Sequence, residues 1–173
     1  MKYSTFEELP VWQAAIEFAL KTFEFSSKGD FRGLGDTKSQ LERAALSISN
    51  NIAEGFERGT TNELITFLYI SKGSAGESRS ILRLCETSER FPDLRSEISN
   101  LIARAVGISK QLNGWITSLI HSDIKGVRYL TKAERSKYQR KNDLKEFDQE
   151  MEQFRRKFAE KLRTGEINTR ATE

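Results

Sequence analysis

Residues 43–55 read Arg43-Ala-Ala-Leu-Ser-Ile-Ser-Asn-Asn-Ile-Ala-Glu-Gly55, and this stretch decides the fold. Leu41, Ala44, Ala45, Ile48, Ile52 and Phe56 recur at steps of three and four. On a helix they form one apolar stripe that neighbouring helices must cover. Ala44, Ala45, Ser47 and Ser49 are small enough for a second backbone to come close, while Asn50 and Asn51 need hydrogen-bond partners wherever they are buried. Gly55 stands near the helix end, where it either admits a close neighbour or loosens the last turn. The stretch is a packed core helix without chemistry of its own.

Upstream, Pro10 marks a helix start, because its missing N–H costs nothing in the first turn. The predicted helix one runs to about Phe25. It carries two apolar stripes: Val11, Ala14, Ala15, Phe18, Thr22 and Phe25, and Trp12, Ile16, Ala19, Leu20 and Phe23. A peripheral bundle helix needs one such face, so the second is expected to meet another subunit or the C-terminal segment, although a helix buried within one chain has the same pattern. Ser26 to Gly35 reads as a connector. Its three glycines lie near Lys28 and Arg32 but lack the spacing of a phosphate-binding loop.

Helix two is expected from Asp36 or Thr37 to about Arg58, capped by one of those two residues. Thr60-Thr-Asn-Glu63 is a capping box that opens helix three, predicted to run to Arg90. At about 100° per residue, Phe67, Ile70, Ser74, Ile81, Leu84 and Cys85 gather on one side and are expected to face the core. Lys72, Arg79, Arg83 and Arg90 fall within about 40° of one line on the other side. Four cations on one ridge can track a phosphate backbone, although Glu86 shares the line and a plain solvated face has the same pattern. Gly73 and Gly76 interrupt this helix at a cost of about 1 kcal/mol each relative to alanine. The expected purpose is close approach of helix two or of a neighbouring chain, with Glu77 available to Arg43 or Arg58.

Phe91-Pro92-Asp93 is a turn, and helix four follows to about Ser122. Leu94, Ile98, Leu101, Ala105, Ile108, Leu112, Trp115 and Leu119 alternate steps of four and three, which is a heptad seam. Ile102, Val106, Ile116 and Ile120 add a second apolar set, so burial on more than one side is expected. Thr131-Lys-Ala-Glu134 is another capping box. After it, Leu144, Phe147, Met151, Phe154, Phe158 and Leu162 form a narrow seam that wants a partner, either its own bundle, another subunit or a different protein. Lys132, Arg135, Lys137, Arg140 and Lys141, with Tyr138, form a second candidate for nucleic-acid contact, since cations beside an aromatic ring hold phosphate and stack a base. The organisation that follows is residues 1–124 as a helical bundle, 125–165 as a helical extension and 166–173 as a fraying tail.

Three blocks, Phe6-Glu-Glu-Leu-Pro-Val-Trp-Gln13, the stretch 43–55 and Phe67-Leu-Tyr-Ile-Ser-Lys-Gly-Ser-Ala-Gly-Glu77, occur in that order. Together they resemble the 23S ribosomal RNA intervening-sequence proteins, a family that includes the accessory variability proteins of diversity-generating retroelements. The resemblance spans about residues 6–120. It implies an all-α fold, an antiparallel up-down four-helix bundle, that assembles into a ring, commonly a pentamer, without known catalysis. In the retroelement branch it implies partnership with a reverse transcriptase and engagement of nucleic acid, RNA or DNA.

The charge distribution narrows the function further. The chain has 173 residues, a formal charge of +3 and 31% charged residues. Residues 1–124 hold 14 Lys and Arg against 16 Asp and Glu, whereas 125–173 hold 14 against 9. The bundle is therefore not basic as a whole, and any attraction for phosphate rests on local patches and on the C-terminal segment. Cys85 is the sole cysteine and His121 the sole histidine, so neither a disulfide, a metal site nor a histidine-based acid–base pair is expected. Glu54, Glu57 and Glu77 are expected to pair with Arg43 and Arg58 rather than to gather as catalytic carboxylates. With no nucleotide-binding fingerprint, the expectation is a cytoplasmic, non-enzymatic, cofactor-free protein that binds itself, nucleic acid or a protein partner and spans no membrane. A scaffold whose C-terminal helix recognises another protein, without nucleic acid, is the alternative.

Overall fold

The computed structural model describes residues 3–122 together with 140, 144, 147, 149, 151–153, 156 and 157. The chain divides into two units, Met1–Tyr129 and Leu130–Glu173. The first holds four long helices: α1 (Pro10–Lys28), α2 (Thr37–Glu57), α3 (Thr61–Thr87) and α4 (Arg95–Ile120). Short 3-10 turns, Phe6–Glu8 and Pro92–Leu94, lead into α1 and α4. In the second unit the described residues are helical and exposed.

Each helix of the bundle touches two others, α1 and α3 both packing on α2 and on α4. The four stripes therefore enclose a common core in which Phe18, Phe25, Leu41, Ile48, Ile52, Leu64, Leu68, Leu82 and Ile98 are fully buried. Each such side chain contributes about 1.5–3 kcal/mol. The stripe of 41–56 is buried as its spacing predicts, from Leu41 through Phe56. The α4 seam also behaves as expected. Ile98, Leu101, Ala105, Ile108 and Leu112 are buried, with Leu94, Trp115 and Leu119 packed beside them. The bundle itself covers Ile102 and Ile116, while Ile120 stays half exposed.

Three expectations are corrected. The first is that α1 continues through Ser26, Ser27 and Lys28, which the sequence assigned to the connector. Both serine hydroxyls donate to carbonyls one turn back, Ser26 to Phe23 at 3.0 Å and Ser27 to Glu24 at 2.7 Å, so the polar residues fit the helix instead of ending it. Ser26 is buried and also donates to the Glu42 carboxylate of α2. The turn begins only at Gly29, and Gly33 and Gly35 take positive φ values of 77° and 56°, a conformation that favours glycine.

The second correction concerns the inward face of α3. Ile70 and Leu84 do not belong to it, being 47% and 49% exposed, and Phe67 and Ile81 are only half-buried, with Ile81 packed at the edge of the core; Ser74 and Cys85 are buried as expected. The buried face is Leu64, Leu68, Ser71, Ser74, Ala75, Ser78, Leu82 and Cys85. Ranking positions by hydrophobicity misplaced the face because its middle is built from small hydroxyl residues. Ser71 donates to the Ile48 carbonyl at 2.9 Å, Ser47 and Ser74 share a hydrogen bond at 3.0 Å, and Ser78 donates to the Ser74 carbonyl at 2.9 Å. With every hydroxyl satisfied, the short side chains let α2 and α3 pack closely. Helix three also ends at Thr87 rather than Arg90.

The third correction is the place of closest approach. A Cβ on Gly73 or Gly76 meets nothing within 4 Å, so neither glycine admits α2. Gly55 does that instead, since its Cβ would lie 2.6 Å from the Cβ of Phe67. The Thr60 cap is present: its Oγ1 accepts the Glu63 N–H at 3.2 Å and donates to the Glu63 carboxylate at 2.7 Å.

Candidate nucleic-acid interface

Because the buried face of α3 points between α2 and α4, the ridge of Lys72, Arg79 and Arg83 is not opposite the core but on the flank toward α4. Lys72 Nζ donates to Asn113 Oδ1 of α4 at 2.7 Å. Arg83 pairs with Glu86 at 2.5 Å. Glu86 in turn accepts from Ser99 of α4 at 3.3 Å, and its carbonyl accepts from Arg95 at 3.1 Å. Arg79 is exposed and makes no ion pair among the described residues. Arg90 lies past the helix end, 3.6 Å from Asp30. Asp30 sits well below the usual carboxylate range, at about 2, chiefly because the Arg32 side chain and backbone N–H donate to it, with Arg90 adding a smaller pull. Arg90 is thus offset by an ionised partner, while Lys72 and Arg79 have none among the described residues.

Two cations that sequence reasoning did not single out join this flank. Arg95 bonds the end of α3, and Lys110, exposed one turn before Asn113, follows the same side of α4. A signal was present in the chain: from Ile98 to Ser122 there is no acidic residue. Of the second candidate group, Arg140 is exposed; Lys132, Arg135, Lys137 and Lys141, with Tyr138, lie outside the described residues, as do Phe154, Phe158 and Leu162 of the predicted seam. Leu144 and Phe147 are 62% and 58% exposed.

The second stripe of α1 is left partly uncovered within the bundle. Leu20 is 62% and Phe23 37% exposed, Ile16 and Trp12 are half-buried, and Trp12 stands edge-on to Phe6 at 5.2 Å.

The remaining chemical candidates are occupied structurally. Arg58 pairs with Glu54 at 2.6 Å and lies over the Phe67 ring at 5.1 Å. Arg43 donates to Ser39 at 2.6 Å, so the expected pairing of Glu77 with either arginine is not formed. His121 Nδ1 lies 2.7 Å from the Thr117 carbonyl at the end of α4. Burial raises the Cys85 thiol to about 11. Among the described residues no cluster of three or more His, Cys, Asp or Glu side chains is placed to hold a metal ion, and no described helix is long and apolar enough to cross a membrane.

A four-helix core with one basic flank and one open apolar face defines a class of small helical-bundle proteins. Residues 7–114 match the family described as 23S rRNA-intervening sequence protein, and the chain belongs to that family. The solved structure of a protein of unknown function from the S23 ribosomal protein family of Bacteroides thetaiotaomicron shares the fold. Its TM-score is 0.54 at 23% identity, over 61% of this chain and 97% of that one. No functionally curated protein matches the chain.

Proposed function

We propose that the chain is a non-catalytic, ring-forming homo-oligomeric adaptor that binds nucleic acid, a nucleic-acid enzyme such as a reverse transcriptase, or both. The observation that carries the nucleic-acid half is the flank of Lys72, Arg79, Arg83 and Arg90, which stays at the surface with Glu86 and Asp30 as its ion-pair partners among the described residues. Self-association is supported by the open Leu20 and Phe23 face, because an isolated bundle gains by covering it. We read the architecture as an antiparallel up-down four-helix bundle. Support comes from paired contacts whose numbers rise on one helix as they fall on the next: Ser47 with Ser74 and Gly55 with Phe67, then Lys72 with Asn113 and Glu86 with Ser99. A ring of five copies in the cytoplasm would repeat the cationic flank five times, which converts a weak patch into an effective one.

The test pairs light scattering with anisotropy of labelled RNA and DNA across a salt series. Leu20→Ser with Phe23→Ser should reduce the particle mass to that of one chain. Lys72→Glu, Arg79→Glu and Arg83→Glu together should flatten the slope of log affinity against log salt by about 2–3, at roughly 0.7–0.9 per phosphate contact. An intact oligomer that binds neither RNA nor DNA at low salt rejects the nucleic-acid half.

One observation favours a second reading. Leu144, Phe147 and Met151 lie exposed on helical residues of the C-terminal unit, the pattern of a helix that docks on another protein. Removing residues 131–173 should then leave the bundle folded and abolish binding to a purified partner; full retention of that binding rejects this reading.

A further inference from the structure

The basic flank has a second component besides charge. Tyr69 projects from α3 51% exposed, and its hydroxyl has no partner among the described residues. Positions three and four apart on a helix are neighbours, so Tyr69 adjoins Lys72 and Gly73, and Lys72 and Gly73 adjoin Gly76. The two glycines sit inside a 27-residue helix, where they weaken it. Among the described residues nothing uses the room they leave. They form a strip of bare helix backbone with an aromatic ring at one end, Lys72 beside it and Arg79 and Arg83 beyond. Two acids border this surface: Glu86, paired with Arg83, and Glu77, four residues from Gly73 on the side toward α2 and away from Lys72, Arg79 and Arg83 by helical geometry; α4 has none after Glu97.

We propose that this strip binds single-stranded nucleic acid, with Tyr69 stacking on an unpaired base, Lys72, Arg79 and Arg83 contacting phosphates, and Gly73 and Gly76 admitting the strand against the helix. The assignment rests on the nucleic-acid reading above and deepens it by naming the class of strand. A duplex hides its base faces within its own stack, so an exposed ring among cations gains nothing from it. An unpaired strand offers a π-face at every base.

The experiment uses the full chain with a labelled 20-nucleotide oligo(U), oligo(dT) and a 20-base-pair duplex, by anisotropy at several salt concentrations. Both single strands should bind more tightly than the duplex. Tyr69→Ala should weaken them about five- to a hundredfold without changing the salt slope, while Tyr69→Phe, which keeps the ring, should bind like the parent. Arg79→Ala with Arg83→Ala should instead lower the slope by about 1.4. Gly73→Ala with Gly76→Ala should raise thermal stability and still weaken binding, which separates the effect from unfolding. Equal affinity for duplex and single strand, or single-strand binding indifferent to Tyr69→Ala, overturns the assignment while leaving the broader reading in place. Absence of binding to all three probes overturns both.

Discussion

Gly55 of α2 lies so close to Phe67 of α3 that a Cβ at position 55 would stand 2.6 Å from the Cβ of Phe67, with Leu64 Cδ1 at 3.3 Å and the Leu64 carbonyl oxygen at 3.4 Å. This contact is one close approach between two helices that are also joined by the hydrogen bonds of Ser47 with Ser74 and of Ser71 with the Ile48 carbonyl. It also fixes the placement of Arg58, one turn on, over the Phe67 ring.

Gly55→Ala should therefore destabilise the bundle despite the better helix propensity of alanine. Propensity favours the substitution by about 1 kcal/mol, whereas over-packing against backbone and a Cβ costs about 1–3 kcal/mol. The Leu64 Cδ1 can swing away, but the closest atom, the Phe67 Cβ, and the Leu64 carbonyl oxygen are fixed by the backbone of α3, so the steric effect wins. Urea denaturation should show a lower midpoint. Gly73→Ala, in open space, is the matched control and should raise the midpoint, by an amount that corresponds to about 1 kcal/mol of stability.

A second prediction concerns Phe91. Its ring is 1% exposed and packs with Phe25 at 5.8 Å and Phe31 at 5.1 Å. The Phe31 ring in turn meets Phe25 edge-on at 5.9 Å. This cluster ties the loop after α1 to the loop before α4, and Gly29 leaves room for both rings, each 2.8 Å from where its Cβ would be. Phe91→Ala should cost about 3–5 kcal/mol, and Phe91→Leu less, as measured by thermal or denaturant unfolding.

The difference between Phe91 and the helices shows where the sequence was legible. Strong periodicity placed α1, α2 and α4 and the core residues from Leu41 to Phe56, because long amphipathic repeats determine which side is covered. Phe91 sits in a turn, where no periodicity exists, so its role as a core anchor left no signal in spacing. The face of α3 was misread for a related reason: Ser71, Ser74 and Ser78 are buried only because α2 supplies partners and close contact, which hydrophobicity does not register. The error carried over to the site. The spacing of its cations could be read from the chain, yet their position beside α4, and the company of Arg95 and Lys110, depend on which side of α3 faces inward.

Thr22 carries a third prediction. It is fully buried in α1, and its Oγ1 has no hydrogen-bond partner among the described residues. An unsatisfied hydroxyl in the core costs about 1–3 kcal/mol. Thr22→Val keeps the β-branched shape and removes the orphan group, so it should stabilise the bundle by about 1 kcal/mol or more. Thr22→Ser keeps the hydroxyl, loses a buried methyl and should be less stable than the parent. A Thr22→Val variant that melts below the parent would show that the hydroxyl is satisfied in solution.

The pH dependence of stability follows from Cys85. Its thiol is fully buried on the inward face of α3 and is raised by burial from 9.0 to about 11. A group whose pKa is higher in the folded state binds its proton more tightly there, so its contribution is complete below the unfolded value and fades as pH climbs through the folded one. Stability should thus be insensitive to Cys85 up to about pH 9 and decline from there toward pH 11. Lysines and tyrosines titrate over part of the same range, so the measurement is the difference between the parent and Cys85→Ala in urea midpoint at each pH. Alanine lowers stability at neutral pH by leaving a small cavity, and the gap between the two proteins should narrow above pH 9. The same burial predicts slow alkylation by iodoacetamide at pH 8, with a rate that rises only when urea opens the bundle. A gap that stays constant to pH 11, or a thiol that reacts at the rate of a free cysteine in the native protein, would place Cys85 at the surface and contradict the inward face assigned to α3.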